Sequence, residues 1–313
     1  MPLNTAELLD ALDSVTSIPI IPFRDGAIDY DAHARNLDYL MNNNHLEGER
    51  RRLIGIAGTS LIHHVSRDEQ VKLMDFTGCQ MQGRGVLISG IVPNPVEDAG
   101  RLIEAQANST HAPDTYLIMP LSGVNNAEGI YQYYMEFGER YGNSCNVRFL
   151  YYLRNKSELD MAVRLINDSP HFIGIKIGTD EGDVDAIVEG VRPESGIVMW
   201  GIGDRSTGPA EKGTKGHTSG INVVFARASD AINNAQRRGD YETSRKIENE
   251  IAPFEDIRFR DGRMYNYSAV VEAMHLGGFD DVDGGEGGPF NPRVPAAVAR
   301  EVEAAIDAIK HYH

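Results

Sequence analysis

The sequence predicts an α/β fold, namely a (β/α)8 TIM barrel with a C-terminal helical extension. Three observations predict it. Eight short apolar runs recur between residues 18 and 221, and a longer helix-like segment follows each of them. The runs are nearly continuous in apolar residues rather than alternating with polar ones, which is typical of parallel strands covered on both faces. The chain has 313 residues, a length that single barrels of this class commonly reach.

Each predicted strand is rich in Ile, Leu, Val or aromatic residues, and the eighth is weaker than the others. An open, doubly wound sheet is the alternative arrangement. Such a sheet usually carries a glycine-rich phosphate-binding turn after its first strand, and none follows here. The predicted strands are residues 18–22, 53–56, 86–91, 116–119, 147–152, 172–176, 197–200 and 218–221.

The segments between these runs carry helical signals. Ser66 and Glu69 have the spacing of a capping box, which predicts that Ser66 is the N-cap of a helix. Pro95 suits the first turn of the next helix. Between residues 127 and 141, apolar and aromatic side chains recur at spacings of three and four, which predicts a buried helix face.

The C-terminal part, residues 223–313, continues beyond the last predicted strand. We expect residues 1–222 to form the barrel core, and residues 223–313 to form the final barrel helix and a C-terminal helical subdomain. A segment rich in Gly and Asp, residues 280–292, predicts a loop. The predicted helices are residues 223–238, 241–253, 267–275 and 295–311.

Composition excludes several classes of function. The chain carries 46 acidic and 30 basic residues, a formal net charge of −16, which disfavours binding to nucleic acid or anionic lipid. No apolar run is long enough to span a bilayer, and residues 1–17 lack the features of a signal peptide. Cys79 and Cys145 are too few for a disulfide framework, so we expect buried free thiols. We therefore expect a cytoplasmic protein whose partner is a small molecule, with no nucleic acid and no membrane.

Lys176 is the first candidate for chemistry. It ends the sixth predicted strand between Ile175 and Ile177, and active sites of such barrels lie at the C-terminal ends of the strands. If its side chain points into the barrel, loss of solvation lowers the pKa of the amine, and the neutral amine can attack a ketone to form a Schiff base. A lysine that simply reaches water from a strand end is an equally good interpretation of the residues alone.

Two other strand ends carry weaker candidates. Tyr151 and Arg154 lie at the end of the fifth strand, where a phenol can relay protons and a guanidinium can hold a carboxylate. Gly58 and Thr59 follow the second strand, where small residues let backbone amides approach an anion. Taken singly, each of these is more simply interpreted as a core residue, a surface residue or part of a tight turn.

Three further patterns have simpler interpretations. The adjacent histidines at 63–64 do not point toward one common metal ion, because neighbouring side chains diverge. A role in packing is favoured over a role in substrate binding. The acidic residues of 281–286 lack the spacing of a calcium loop, which favours a solvated loop. Residues 201–204 lack the third glycine of a dinucleotide-binding turn.

Several segments resemble the dihydrodipicolinate synthase / N-acetylneuraminate lyase family of Schiff-base aldolases and dehydratases, from about residue 18 to the C-terminus. The most specific segment is Ile173-Gly174-Ile175-Lys176, which is similar to the strand that supplies the family's Schiff-base lysine. The strand segment Phe149-Leu150-Tyr151 resembles the one that supplies its catalytic tyrosine. The supporting segments are residues 18–29, 58–69, 216–220 and 238–240.

The resemblance implies that Lys176 forms an imine with the ketone of a 2-keto acid, that Tyr151 shuttles protons at the imine carbon, and that Gly58 and Thr59 bind the carboxylate. It implies no metal and no organic cofactor, because the protonated imine itself stabilises a carbanion on the neighbouring carbon. Either carbon–carbon cleavage or loss of water can follow. The resemblance also implies a homo-oligomer, either a tetramer or a dimer.

The chain departs from the family's synthases and lyases at three places. It has Ala57-Gly58-Thr59-Ser60-Leu61 where they carry Gly-Thr-Thr-Gly-Glu, and Leu121-Ser122 where synthases place a tyrosine. It also has Tyr151-Tyr152-Leu153-Arg154 where they carry Tyr-Asn-x-Pro. The pattern is more similar to the dehydratases of 5-dehydro-4-deoxyglucarate, which have a Gly-Gly-Thr turn and a Tyr-Asn-Arg-Asp-Asn strand end. Residues 254–258 and 265–268 also resemble segments of these dehydratases.

We therefore expect a dehydratase of a 2-keto-3-deoxy sugar acid. One alternative is a pyruvate-dependent aldolase or synthase of the dihydrodipicolinate synthase or N-acetylneuraminate lyase type. Another is a barrel that binds a keto acid without turnover, which the altered turn favours, although the presence of Tyr151 and Lys176 favours an enzyme. By position, the expected substrate-binding residues are Gly58, Thr59, Arg154, Asn155, Thr218 and Ser219.

Overall fold

Eight parallel strands form a closed barrel in the computed structural model, which describes residues 3–313. The strands are β1 (Val15–Ser17), β2 (Leu53–Ile56), β3 (Val86–Ile91), β4 (Thr115–Ile118), β5 (Phe149–Leu153), β6 (Phe172–Ile177), β7 (Ile197–Trp200) and β8 (His217–Ser219). Consecutive strands are neighbours around the ring, and β8 closes it by pairing with β1. The predicted (β/α)8 barrel is confirmed.

The first and last strands differ from their predicted bounds. Residues 18–22 follow β1 rather than forming it, because Pro19 and Pro22 have no N–H to donate to a neighbouring strand. The start of this segment still runs along the sheet, since the Ile18 amide donates to the carbonyl of Ser219 at 2.9 Å. β8 begins one residue earlier than predicted, at His217, and ends at Ser219.

Helices lie before the first strand, between the strands and after the last one. They are α1 (Thr5–Leu12), α2 (Tyr30–Asn42), α3 (Arg67–Met81), α4 (Val96–Ala107), α5 (Ala127–Phe137), α6 (Leu159–Asp168), α7 (Val184–Gly190), α8 (Thr207–Glu211), α9 (Ala226–Arg237), α10 (Tyr241–Arg263), α11 (Ser268–Leu276) and α12 (Ala296–Asp307). Ser66 caps α3 as predicted, because its hydroxyl accepts from the Glu69 amide at 3.3 Å. In α5, Tyr134 and Phe137 are buried as expected, whereas Tyr133 is exposed.

Side chains along the barrel strands alternate between the barrel interior and the surrounding helices. On β5, Leu150 and Tyr152 belong to the apolar cluster that fills the barrel. Phe149, Tyr151 and Leu153 belong instead to the cluster that packs β5 against α5 and α6. Both faces of β5 are therefore buried, and successive residues point alternately into the barrel and toward the surrounding helices.

Helix α10 contains a backbone break close to its C-terminus. Asp261 and Gly262 adopt left-handed conformations with φ of 48° and 74°, and Arg263 follows at φ 77°. The last turns of α10 and the segment after it lie over the C-terminal ends of the barrel strands. An ion pair between Arg260 and Glu301 ties the break to α12.

Two short hairpins lie near the same end of the barrel. One pairs Phe23–Arg24 with Ala27–Ile28, and the other pairs Gly287–Gly288 with Asn291–Pro292 inside the predicted loop. The amide of Glu286 donates to the carbonyl of Phe23 at 2.8 Å, which links them.

Two expectations from composition can be compared with the structure. Within residues 3–313, no helix has the length and apolar character that crossing a bilayer requires. Cys79 is exposed and Cys145 is half-buried, so the expectation of buried thiols is wrong. Cys79 is exposed because it lies on the solvent-facing side of α3. The buried side of this helix carries Leu73, Met74, Thr77 and Met81.

Candidate active site

A cavity of about 420 Å³ opens at the C-terminal ends of the barrel strands. Residues at the ends of β2, β4, β5, β6, β7 and β8 line its floor and walls, and the end of α10 and the residues after it complete one side. This is the end of the barrel at which strand-borne side chains from many directions meet. Among the described residues, no Asp or Glu lines the cavity.

Lys176 lies on β6 at the floor of this cavity and is 7% exposed. Its Nζ donates to the carbonyl of Gly201 at 3.3 Å. Burial lowers the pKa of this amine, and the charges of Arg263 and Arg154 lower it further against the opposing effect of Tyr152. Gly201 has to be glycine, because a Cβ there would lie 2.3 Å from the carbonyl oxygen of Ile177 and 2.7 Å from Cγ of Lys176.

Tyr152 lies beside Lys176 and is buried. The two residues occupy paired positions on β5 and β6, and Nζ of Lys176 lies 3.4 Å from the centre of the Tyr152 ring. The phenol oxygen accepts from Nη1 of Arg154 at 3.2 Å. Burial alone would raise the pKa of Tyr152, but the charges of Lys176, Arg154 and Arg263 outweigh it and lower the pKa to about 7. The phenol can therefore both give and accept a proton near neutral pH.

Tyr151 does not reach the cavity, so the expectation that it acts beside Lys176 is wrong. Its phenol donates to Oε2 of Glu158 at 2.7 Å, and its ring lies against Tyr134 of α5. The physical reason is the two-residue repeat of a strand, which turns Tyr151 outward when Tyr152 points inward. Tyr152 takes the place that sequence reasoning gave to Tyr151.

Gly58 and Thr59 line the cavity as expected, in a single 3-10 turn that follows β2. Gly58 has a positive φ of 37°, which glycine adopts without strain. The amides of Ser60 and Leu61 are bonded within the turn, to the carbonyls of Ala57 and Gly58. Because β2 lies opposite β6 in a ring of eight, the turn faces Lys176 across the barrel.

The remaining predicted residues divide into two groups. Arg154 and Thr218 line the cavity. Asn155 does not, because its side chain caps the turn at Lys156–Glu158 and accepts from the Ser157 amide at 3.1 Å. Ser219 borders the cavity, but its hydroxyl points away and donates to Asp204 at 2.8 Å. The polar side-chain atoms of Asn155 and Ser219 therefore point away from the cavity in this structure.

Sequence reasoning missed the cavity residues that come from the C-terminal helices. Arg258 is buried, forms an ion pair with Glu255 and donates to Oδ1 of Asn266 at 2.7 Å. Its guanidinium lies against Gly220, where a Cβ would overlap Nη2. Arg263 and Asn266 also line the cavity. The similarity of residues 254–258 and 265–268 to dehydratases is the sequence feature that could have identified Arg258 and Asn266. The similarity alone does not give these residues a role in the site.

His63 also lines the cavity, although the sequence favoured packing for the histidine pair. Its neighbour His64 lies outside and packs near Phe290, with ring centres 4.7 Å apart. Burial lowers the pKa of His63, and the adjacent His64 lowers it further.

Known proteins resemble this chain in both sequence and fold. The model described as the dihydrodipicolinate synthetase family matches residues 11–289. The 4-hydroxy-tetrahydrodipicolinate synthase of Psychrobacter sp. (strain PRwf-1) is 22% identical over 238 residues, which cover 75% of this chain and 76% of that protein. The protein of the same name from Stutzerimonas stutzeri (strain A1501) is 24% identical over 258 residues, covering 81% and 85%.

Solved structures show the same barrel. Dihydrodipicolinate synthase from Bacillus clausii superposes with a TM-score of 0.86 at 23% identity, covering 96% of this chain and 99% of that one. The enzyme from Thermotoga maritima gives a TM-score of 0.83 at 20% identity, with the same coverage. At this level of identity the likeness establishes the fold.

Proposed function

The chain belongs to the dihydrodipicolinate synthetase family and is a lyase, and from that premise we propose that Lys176 forms an imine with the ketone of a 2-keto acid. The observation that carries the proposal is the pairing of Lys176 with Tyr152 on the cavity floor. A buried amine with a lowered pKa supplies the neutral nucleophile that imine formation needs. No other lysine lines the cavity in the described part of the chain.

The reaction follows from these two side chains. The amine of Lys176 adds to the ketone, and the carbinolamine loses water to give the imine. The protonated imine then stabilises a carbanion on the adjacent carbon. Tyr152 carries the protons that enter and leave during these steps, because its pKa of about 7 suits both directions. The turn at Gly58 and Thr59 faces the lysine and binds the substrate carboxylate through its amides and the threonine hydroxyl.

The fate of the carbanion decides the type of lyase. The curated relatives named above are 4-hydroxy-tetrahydrodipicolinate synthases, which supports a pyruvate-dependent aldolase or synthase reaction, in which a carbon–carbon bond forms or breaks. We therefore place this reaction first. Arg154 and Thr218 line the cavity where they can contact the rest of the substrate.

Dehydration of a 2-keto-3-deoxy sugar acid is the second candidate. It is supported by the glycine at position 58. Family synthases carry a threonine there, whose hydroxyl relays protons to the tyrosine, whereas the dehydratases have a Gly-Gly-Thr turn. It is also supported by the cationic lining of the cavity, which suits an acid substrate with several polar groups. Both reactions share the same imine.

Trapping with borohydride tests the shared step. The protein is incubated with pyruvate, reduced, and analysed by intact mass and by peptide mapping. We expect an added mass equal to pyruvic acid less one oxygen atom, located on Lys176 and absent from Lys176→Ala. Lys215→Ala is the matched control, because Lys215 is an exposed lysine outside the cavity. A folded wild-type protein that gives no adduct with any 2-keto acid would overturn the proposal.

A second experiment, in which the protein is incubated with a 2-keto-3-deoxy sugar acid without reduction, separates the two reactions. Retro-aldol activity releases pyruvate from a 2-keto-3-deoxy sugar acid, whereas dehydration releases water and leaves the carbon chain intact. Mass spectrometry of the products distinguishes them. A homo-oligomer, either a dimer or a tetramer, and a cytoplasmic location remain parts of this proposal, and light scattering on the purified protein tests the first.

A further inference from the structure

His63 lines the cavity, and the reaction described above gives it no role. The arginines of the cavity stay charged at any ordinary pH, and Lys176 is consumed by the imine. The hydroxyl of Tyr267 donates to the carbonyl of Ile21 at 2.8 Å, and burial raises the pKa of this phenol. Among the described residues that line the cavity, His63 and Tyr152 are therefore the two side chains left to exchange protons near neutral pH.

The ring of His63 is not engaged by a neighbouring group. Burial lowers its pKa, the charge of His64 lowers it further, and within residues 3–313 no hydrogen bond or ion pair adds to these two effects. The centres of the two histidine rings lie 6.5 Å apart and the rings are tilted, so they do not stack. At pH 7 the ring of His63 is therefore mainly neutral, with one nitrogen that can accept a proton and one that can donate.

The backbone that carries His63 is held in place on both sides. The side-chain amide of Gln70 donates to the carbonyls of Ile62 and Val65, at 3.1 Å and 2.8 Å. Leu61, two residues before His63, adopts a left-handed φ of 56°. A left-handed residue other than glycine is costly and persists where its surroundings determine it. The turn therefore presents His63 to the cavity from a fixed backbone.

His63 also connects the cavity with solvent. A groove of about 510 Å³ lies outside the barrel, beside the first turns of α3 and α4. Arg67 and Asp68 border this groove and are exposed, so the groove is open to water. Of the residues that the structure describes, His63 alone borders both the groove and the cavity. A proton taken up on the cavity side can therefore leave to solvent from the same ring.

We propose that His63 is a second catalytic residue, which exchanges a proton with the hydroxyl oxygen on carbon 4 of a 2-keto acid, while Tyr152 serves carbon 3. The inference rests on the proposed imine, which Lys176 forms at carbon 2. The substrate class is therefore a 2-keto acid that carries a hydroxyl group on carbon 4. One side chain for each reacting atom explains why the cavity holds two groups that titrate near neutral pH.

Both reactions considered above use the same oxygen. In cleavage, neutral His63 accepts the hydroxyl proton, the bond between carbons 3 and 4 breaks, and its electron pair moves to the imine to give an enamine. An aldehyde leaves, Tyr152 protonates carbon 3, hydrolysis frees Lys176, and His63 returns its proton to water. In dehydration, Tyr152 removes a proton from carbon 3, and protonated His63 gives its proton to the hydroxyl, which leaves as water.

The test separates imine formation from the later step. Two probes, 4-hydroxy-2-oxopentanoate and 2-keto-3-deoxygluconate, carry the required hydroxyl. Borohydride quenching measures the imine by protein mass, and mass spectrometry measures pyruvate or the dehydrated acid. In His63→Gln we expect the probe imines to form as in the wild type, while product formation falls about 100-fold or more. Exchange of the pyruvate methyl protons, which depends on Tyr152, should keep its wild-type rate.

Rescue and a matched control distinguish catalysis from a structural role. Added imidazole should restore part of the lost rate in His63→Ala, because the small molecule supplies the missing acid–base group. A loss caused by a displaced backbone would not respond to imidazole. His64→Gln is the matched control, because His64 lies outside the cavity, near Phe290. It should form product at close to the wild-type rate.

Failure of this inference can be told from failure of the imine. If the probes are trapped but His63→Gln forms product at the wild-type rate, or if imidazole restores nothing in His63→Ala, the role of His63 is overturned and the imine stands. The same holds if the wild-type protein traps both probes and converts neither. If the wild-type protein traps no keto acid at all, the proposed function itself falls.

Discussion

The Nζ atom of Lys176 lies 3.4 Å from the centre of the Tyr152 ring. The two residues occupy paired positions on the neighbouring strands β5 and β6. The contact joins a buried amine to a buried phenol, and each changes the proton affinity of the other. Charging one side chain therefore favours the complementary charge on its neighbour. Such coupling allows Lys176 to act as the nucleophile while the adjacent Tyr152 transfers protons.

Replacing Tyr152 by Phe should slow proton transfer at the carbon next to the imine. We expect exchange of the pyruvate methyl protons with deuterated water, followed by NMR, to fall about 100-fold or more, because general acid–base catalysis supplies that much. Tyr151→Phe is the matched control. It removes the hydrogen bond to Glu158 and should cost about 1 kcal/mol of stability with little change in exchange. Loss of exchange in Tyr151→Phe but not in Tyr152→Phe would contradict the assignment.

The pH dependence of imine trapping should reflect the lowered pKa of Lys176. At pH 8 an ordinary lysine, with a pKa of 10.5, is neutral in less than about 1% of molecules. Because the pKa of Lys176 is lowered, trapping of pyruvate by the wild-type protein should approach its maximum at a lower pH than an ordinary lysine allows. In Arg263→Gln the profile should move to higher pH, because a positive charge that disfavours the ammonium is gone. A profile that rises only toward pH 10 in the wild type would rule out a perturbed amine.

Lys176 should also reduce the stability of the fold. Its pKa is lower in the folded state than the unfolded value of 10.5. Between these two values the unfolded chain binds more protons, so stability rises with pH across that window. Lys176→Met should therefore raise the free energy of unfolding in urea at pH 7 by about 1 kcal/mol or more, and flatten its rise with pH below 10.5. The exposed control, Lys215→Met, should change neither quantity.

The ion pair of Arg258 and Glu255 should matter for folding. Both side chains are almost fully buried, so removing one partner leaves an unpaired charge away from water. We expect Glu255→Ala to lower the free energy of unfolding by about 3–5 kcal/mol. Glu301→Ala, which breaks the exposed pair with Arg260, should cost less than about 1 kcal/mol. Equal losses in the two variants would show that burial is not the deciding factor.

The barrel could be predicted because its strands are continuous apolar runs separated by helical segments, and Lys176 could be found because it ends one of them. The same continuity explains the error at Tyr151. Where both faces of a strand are buried, no polar residue marks which face is inside, so Tyr151 and Tyr152 cannot be told apart by pattern. The orientation of Ser219 was misjudged for the same reason.

The positions of the C-terminal arginines at the cavity could not be predicted from the sequence, for a different reason. Arg258 and Arg263 line the same cavity as Lys176 only because the chain folds back over the barrel after β8. The left-handed conformation of Arg263 has no sequence signal, since left-handed residues are usually glycine or asparagine. Local periodicity predicts helices but does not predict which strand ends they cover.

The end of β8 divides the residues around the cavity into two parts along the sequence. Lys176 and Tyr152 belong to the barrel, while Arg258 and Arg263 are encoded after the last strand. During synthesis Lys176 and Tyr152 are therefore made before Arg258 and Arg263. An exchange of the last helices can therefore change the part of the cavity wall that carries Arg258 and Arg263 while Lys176 and Tyr152 stay in place.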